Sequence, residues 1–210
     1  MAITDPYATV EEYKARIGKS SAGDDEALLE ILKAISRLID RECGRFFGQD
    51  AAVVVRLYDG NGQSRLYIDD VVTTTALVVK VDLDGDYDFD GADETLTVGT
   101  HFWLGPANAD KGPEAMPFRY LEIVPNNGWL SLWPTQARAV QITAKFGWPA
   151  VPGAIREATV MITHEIADVQ KAGPSAALQD IDSAVRLSPT AFSIVQRIKR
   201  EYGLGSPWFV

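Results

Sequence analysis

The chain has 210 residues, 46% of them hydrophobic, enough to bury one good core or a core with a smaller appended module. Its formal net charge of −9 argues against a surface that grips nucleic acid, because phosphate contacts need clustered lysine and arginine; an acidic wall beside DNA stays open. A single cysteine, Cys43, excludes a disulfide framework and a CxxC zinc pair and fits a protein made in a reducing cytoplasm. No apolar run reaches membrane-spanning length, and "MAITDPYATVEEYKARIG" lacks the basic-then-apolar pattern of a signal peptide, so a soluble protein is expected.

Thr9 followed by Glu12 makes a capping box, and with Val10, Tyr13 and Ile17 on one side and Gly18 as a stop it predicts a short helix over 9–17. From Asp24 to Phe47 the residues Leu28, Leu32, Ile35, Ile39, Cys43 and Phe46 recur at helical spacing, which predicts a long helix ending at Gly48. The period then changes from 3.6 to 2. Val53 to Tyr58, the turn "DGNG" and Arg65 to Ile68 read as a hairpin, since Asp-Gly and Asn-Gly supply the positive φ angles such turns need. Further strands are predicted at Leu77 to Leu83, Thr95 to Val98, Phe102 to Leu104, Arg119 to Val124 and Val140 to Phe146.

Helical spacing returns with Ile155, Ala158, Ile162, Ile166 and Val169, a helix over about 152–172 closed by Gly173-Pro174. An Ala-rich link follows, with a short strand at Ala184 to Leu187. Ser188 as N-cap and Pro189 at the first helical position then open a last helix that Gly203 closes. The order helix, helix, strands, helix, helix predicts an α+β protein: a small helical bundle formed by N- and C-terminal helices, with an inserted antiparallel β-module. The expected boundaries are 1–50 and 149–203 for the helical core, 51–148 for the insertion and 204–210 for a tail.

Four sequence features invite a chemical reading. "KVDLDGDYDFDG" places Asp82, Asp84, Asp86, Asp88 and Asp90 at alternate positions. A calcium loop counted from Asp86 matches Asp88, Asp90 and Gly91, but its twelfth position is Thr97 instead of the bidentate glutamate, and a β-branched segment precedes it. An extended hairpin tip with all five carboxylates facing solvent is the alternative. "HEIAD", His164 to Asp168, approaches the H-E-x-x-H zinc motif, but Asp168 replaces the second histidine and the other histidine, His101, lies among the strands. "DGNGQSR" has Arg65 where a dinucleotide fingerprint needs its third glycine, and there is neither a G-x-S-x-G elbow nor a phosphate-binding P-loop. With Cys43 on an apolar helix face, where burial holds a thiol inert, no catalytic constellation is expected, and no cofactor. Trp129, Trp133 and Trp148 read as cover for the joint between β-module and helices. Trp208 and Phe209, beyond a Gly-Ser-Pro break, read either as a tail folded back or as an anchor held by a partner.

The capped helix with "DDEALLEILKAISRLIDRECGRFF", the segment "RLYDGNGQSRLYI", "VDLDGDYDFDG", "FWLGPANAD", "FRYLEI", "ITAKFGWPAVPGAIREATVMITHEIAD" and "AVRLSPTAFSIVQRIKREY" together resemble the head-tail connector (adaptor, or head completion) proteins of long-tailed bacteriophages. The most specific part is the junction Phe146, Gly147, Trp148, Val151, Pro152, Ile155 and Ala158; the Ala-rich link Pro174 to Ser183 departs from the basic, Gly-rich pattern of that family. The resemblance implies a virion structural protein without enzymatic activity, made in the host bacterial cytoplasm. It implies a homo-oligomeric ring, usually twelve-fold, that docks beneath the portal protein, extends the DNA channel without reading sequence, and presents a face to a further connector or tail-completion protein. By the same analogy Trp208, Phe209 and Val210 become the portal contact, and Asp84, Asp86, Asp88 and Asp90 an acidic tip beside the conduit. The other reading is a calcium-binding interaction module that uses Asp86, Asp88 and Asp90.

Overall fold

A computed structural model describes residues 5–18, 25–91, 94–112, 114–171, 185 and 188–204. The protein is α+β, with helices toward both ends of the chain and antiparallel strands between them. It divides into two compact units, one formed by Gly48–Ala150 and the other by the described residues of 4–47 and 151–210.

In the helical unit, α1 (Val10–Ile17) begins at the capping box: the Thr9 hydroxyl accepts the Glu12 N–H, and the Glu12 carboxylate accepts the Thr9 N–H. Gly18 ends it in the left-handed region at φ 68°. Helix α2 (Asp25–Cys43) buries Leu32, Ile35, Ile39 and Cys43 along one stripe. It stops earlier than its sequence predicts: Gly44 takes φ 65° and the Arg45 N–H reaches back to the Asp40 carbonyl, so Phe46 and Phe47 lie beyond the helix. Helix α3 (Gly153–Lys171) and α4 (Pro189–Tyr202) pack on each other and on α2, while α1 rests on α2 and α3. Ile155, Ile162 and Ile166 of α3 and Val195 and Ile198 of α4 are all buried, and each such aliphatic side chain stabilises the fold by about 1.5–3 kcal/mol through burial. Ser188 caps α4 by accepting the Ala191 N–H, as its sequence predicts. Of the predicted strand at Ala184 to Leu187, only Val185 is described, and it is helical.

Tyr7 ties the chain entering α1 to α2. Its hydroxyl donates to Asp40 and accepts the Phe47 N–H, and its own N–H donates to Ser36 Oγ at 2.9 Å. The Arg37 guanidinium lies 5.1 Å from the centre of the Tyr7 ring and pairs with Asp40 at 3.1 Å.

The second unit holds two antiparallel sheets that share one core. One has the order β1 (Val54–Tyr58), β7 (Val140–Ala144), β3 (Val78–Val81), β4 (Thr95–Leu96); the other runs β2 (Arg65–Val71), β6 (Phe118–Ile123), β5 (Phe102–Gly105). Alternate residues point inward, Val79 and Val81 of β3 and Val140, Ile142 and Ala144 of β7 meeting Leu66, Phe102, Leu121 and Ile123. Trp133, 1% exposed, fills this core, and Trp129 packs partly buried against it. Trp148 is buried with its indole N–H on Asp70 at 3.0 Å.

The expected hairpin from Val53 to Ile68 does not form. β1 pairs with β7, from Val54 opposite Ala144 to Tyr58 opposite Val140, whereas β2 pairs with β6 in the other sheet. The cause lies in the connecting loop, which the distant segment 133–136 holds: Gly60 N–H donates to the Gln136 carbonyl, Gly62 N–H to the Pro134 carbonyl, and Trp133 N–H to the Gln63 carbonyl. A side chain at Gly60 would meet the Pro134 carbonyl oxygen at 2.0 Å, so this glycine serves close backbone approach, and not a two-residue turn.

Candidate functional site

The acidic stretch connects β3 to β4, which pair antiparallel through Val79 with Leu96 and Lys80 with Thr95, so it caps a hairpin. Its conformation differs from the extended ladder that period-two spacing suggests. Asp82 is 1% exposed and turned inward, its two carboxylate oxygens accepting the Gly85 N–H at 2.7 Å and the Tyr87 N–H at 3.2 Å. The chain then makes successive Asx turns: Asp84 accepts from the Asp86 N–H, Asp86 from Asp88, and Asp88 from Asp90, at 3.3, 2.9 and 3.2 Å. Short acidic side chains form such turns because each can bond to its own backbone two residues on, and this local gain wins over an extended ladder that has no partner strand.

Lys80 donates to the Phe89 carbonyl and Glu94 accepts the Gly91 N–H, fixing the far side of the loop. Asp84, Asp86, Asp88 and Asp90 are left exposed. A hydrogen bond with Asp88, together with the negative charge of Asp88 and Asp86, raises the Asp90 carboxyl above its ordinary range. Among the described residues one group of acidic side chains could gather around a cation, Asp82, Asp84 and Asp86, with one oxygen from each within 4.8 Å of the others. Asp88 and Asp90 do not join it, and both oxygens of Asp82 already accept backbone N–H groups.

"HEIAD" lies in α3. His164 meets the Tyr13 ring edge-on at 6.4 Å, and Glu165 accepts the Ser188 hydroxyl at 3.2 Å. The side chain of Asp168 is outside the described residues. His101 belongs to the other unit, where its Nδ1 accepts the Thr97 N–H at 2.8 Å. Burial pushes the Cys43 thiol up to about 12, which keeps it protonated and unreactive at neutral pH. Trp208, Phe209 and Val210 lie outside the described residues, as does the link Pro174 to Ser183. Among the described residues no helix is long and apolar enough to cross a membrane.

Among the described residues, exposed apolar side chains stand out on β1, on the second sheet and around a groove. β1 carries Val55 at 57% and Leu57 at 49% exposure, with Val53 and Val54 beside them. Tyr67 and Trp103 stand out from the second sheet, where Arg65 stacks 4.2 Å above the Tyr120 ring. A groove of about 310 Å³ is lined by Arg16, Ile17, Val160, Met161 and His164. The exposure of β1 follows from its partner: the sequence predicts a hairpin mate for it in Arg65 to Ile68, whereas in the structure β1 pairs only with β7 and its other side is open among the described residues.

The chain is thus an α+β protein whose helical core is divided in sequence by two antiparallel sheets. No family model matches the chain, and no curated protein matches it. Among solved structures, it is similar to a chain from the neck of an empty GTA particle determined with C6 symmetry, at 16% identity and a TM-score of 0.51, over 94% of this chain and 92% of that one.

Proposed function

We propose that the protein is a structural component of the head-tail neck of a phage-like particle, an adaptor that assembles as a ring under the portal, extends the DNA channel and links capsid to tail. The observation that carries this reading is the likeness of fold to the GTA neck chain, which runs through nearly the whole of both chains and so takes in helices and sheets together. The sequence pattern of phage connectors, centred on Phe146, Gly147, Trp148 and Pro152, is independent support. The sixfold symmetry of that neck is compatible with six or twelve copies; the proposal keeps twelve. The protein has no catalytic task in this reading, and its partners are the portal, a further connector or tail-completion protein and its own copies, within the virion.

The loop from Asp84 to Asp90 supplies a surface suited to a conduit. Exposed carboxylates repel phosphates, so DNA slides past without adhering, and the Asx turns hold the charges in place at close spacing. The tail beyond Leu204, with Trp208, Phe209 and Val210, is the portal contact, aromatic anchors being the usual carriers of interface energy.

Co-sedimentation with portal rings encoded by the same genome tests the assignment. The whole chain is expected to travel with the rings. A chain ending at Leu204, which keeps the Leu204 N–H bond to the Cys43 carbonyl that closes the helical unit, is expected to bind at least tenfold more weakly. Equal binding by both chains would remove the tail's role, and no binding by the whole chain would remove the portal.

A further inference from the structure

We propose that β1 is half of a head-to-tail seam between copies of this chain, its open edge pairing antiparallel with the β4 edge of the next copy. The proposal deepens the ring reading by naming the strands that close the ring, and it rests on that reading for the number of copies alone.

Three observations carry it. β1 is an edge strand, hydrogen-bonded to β7 on one side and with no strand beside it on the other among the described residues. Proteins that stay monomeric blunt such edges with charge, proline or a covering segment. Here the outward row is apolar, Val53, Val55 and Leu57, and the one charged residue of the strand, Arg56, is engaged on the other face with Asp50 and Asp69 at 2.9 and 2.8 Å. An unpaired row of backbone N–H and carbonyl groups flanked by aliphatic side chains fits another strand better than any other occupant.

The second observation is the direction of the strands. Along the order β1, β7, β3, β4 each neighbour is antiparallel, so β1 and β4 run in opposite senses. When copies repeat head to tail, the β4 edge of one meets the β1 edge of the next with the polarity an antiparallel ladder requires. Such a contact joins two different surfaces, and heterologous contacts of this kind build rings when the rotation between copies closes.

The third is charge. The acidic loop leaves β3 at the end of the sheet where β1 finishes, since Val81 and Tyr58 both pair with Val140. At that same end Arg138 precedes β7, exposed, with no ion pair for its guanidinium among the described residues, and held in place by its own N–H donating to Asp59 at 2.8 Å. Across the seam, Arg138 of one copy lies about two strand spacings, roughly 10 Å, from the β4 of the next copy, to which the acidic loop returns, within reach of a long side chain and a loop carboxylate.

The test compares the whole chain with Val55→Glu/Leu57→Glu by native mass spectrometry, alone and with portal rings, alongside Leu57→Cys/Thr95→Cys under oxidation. Both replaced side chains already face water, so unchanged circular dichroism and melting temperature are expected of the glutamate variant. The wild type is expected to form closed oligomers, the glutamate variant to fall to monomer, and the double cysteine variant to give a ladder of cross-linked species where each single variant gives none. Oligomers that persist in the glutamate variant, dimers from Leu57→Cys alone, or a wild type that is monomeric both alone and on the portal would each overturn the seam. Portal binding read in the same samples separates the two ideas: binding by rings that ignore the glutamates contradicts the seam alone, and edge-dependent rings that do not bind portal contradict the neck assignment alone.

Discussion

At the scale of single residues, Asp40 and Asp82 each hold a backbone junction, in different surroundings. Asp40 lies half-buried beside Tyr7, and this loss of water, only partly offset by the Tyr7 hydroxyl and Arg37, raises its carboxyl from 3.8 to about 6. Because the folded value lies above the unfolded one, the stabilising form is the protonated one: its contribution is complete below about pH 4 and is lost as pH rises through about 6, a change on the order of 3 kcal/mol. Urea denaturation of the whole chain between pH 4 and 7 is expected to show this decline, and Asp40→Asn to flatten it; an unchanged slope would contradict the account of the Tyr7 network. Asp82 accepts two backbone N–H groups at the root of the acidic loop. Asp82→Ala leaves both donors without that partner and is expected to cost about 1–3 kcal/mol and to expose the loop to protease, whereas Asp88→Ala, on a fully exposed turn, is expected to change the melting temperature little.

At the scale of elements, the helices were legible in the sequence and the strand partners were not. Thr9 with Glu12, Ser188 with Pro189, and the apolar stripe of α2 are local signals, satisfied within one or two turns, and each appears where its spacing puts it. The sequence places the end of α2 at Gly48 because Gly44 and Gly48 both follow a run of helical periodicity, and only the Arg45 bond to Asp40 selects the first. The Asp-Gly-Asn-Gly turn misled for a different reason: the loop is held by residues 133–136, more than 70 positions away, and no local pattern encodes such a partner. The acidic segment was correctly placed between paired strands, but the inward turn of Asp82 depends on two backbone donors that alternating spacing cannot show.

Glycine at position 147 tests this long-range level directly. It has φ 114°, and an added Cβ would meet the Gly48 carbonyl oxygen at 2.1 Å, where Trp148 N–H also bonds. Gly147→Ala is therefore expected to cost more than about 2 kcal/mol, against about 1 kcal/mol for Gly128→Ala, which shares a positive φ but has open space. Equal melting temperatures for the two variants would show that the close approach of these strands matters less than the backbone angle.

At the scale of the whole molecule, the surfaces exposed among the described residues suit assembly: an apolar strand edge, an aromatic sheet face and a run of carboxylates on a fixed loop. In the proposed neck role these surfaces serve one purpose, assembly around a DNA conduit. Electron microscopy of the protein mixed with portal rings from the same genome tests that claim most directly. The account expects a coaxial collar of this chain on the portal, with the loop from Asp84 to Asp90 lining the central channel. Portal rings that remain bare, while the protein stays dispersed beside them, would contradict it.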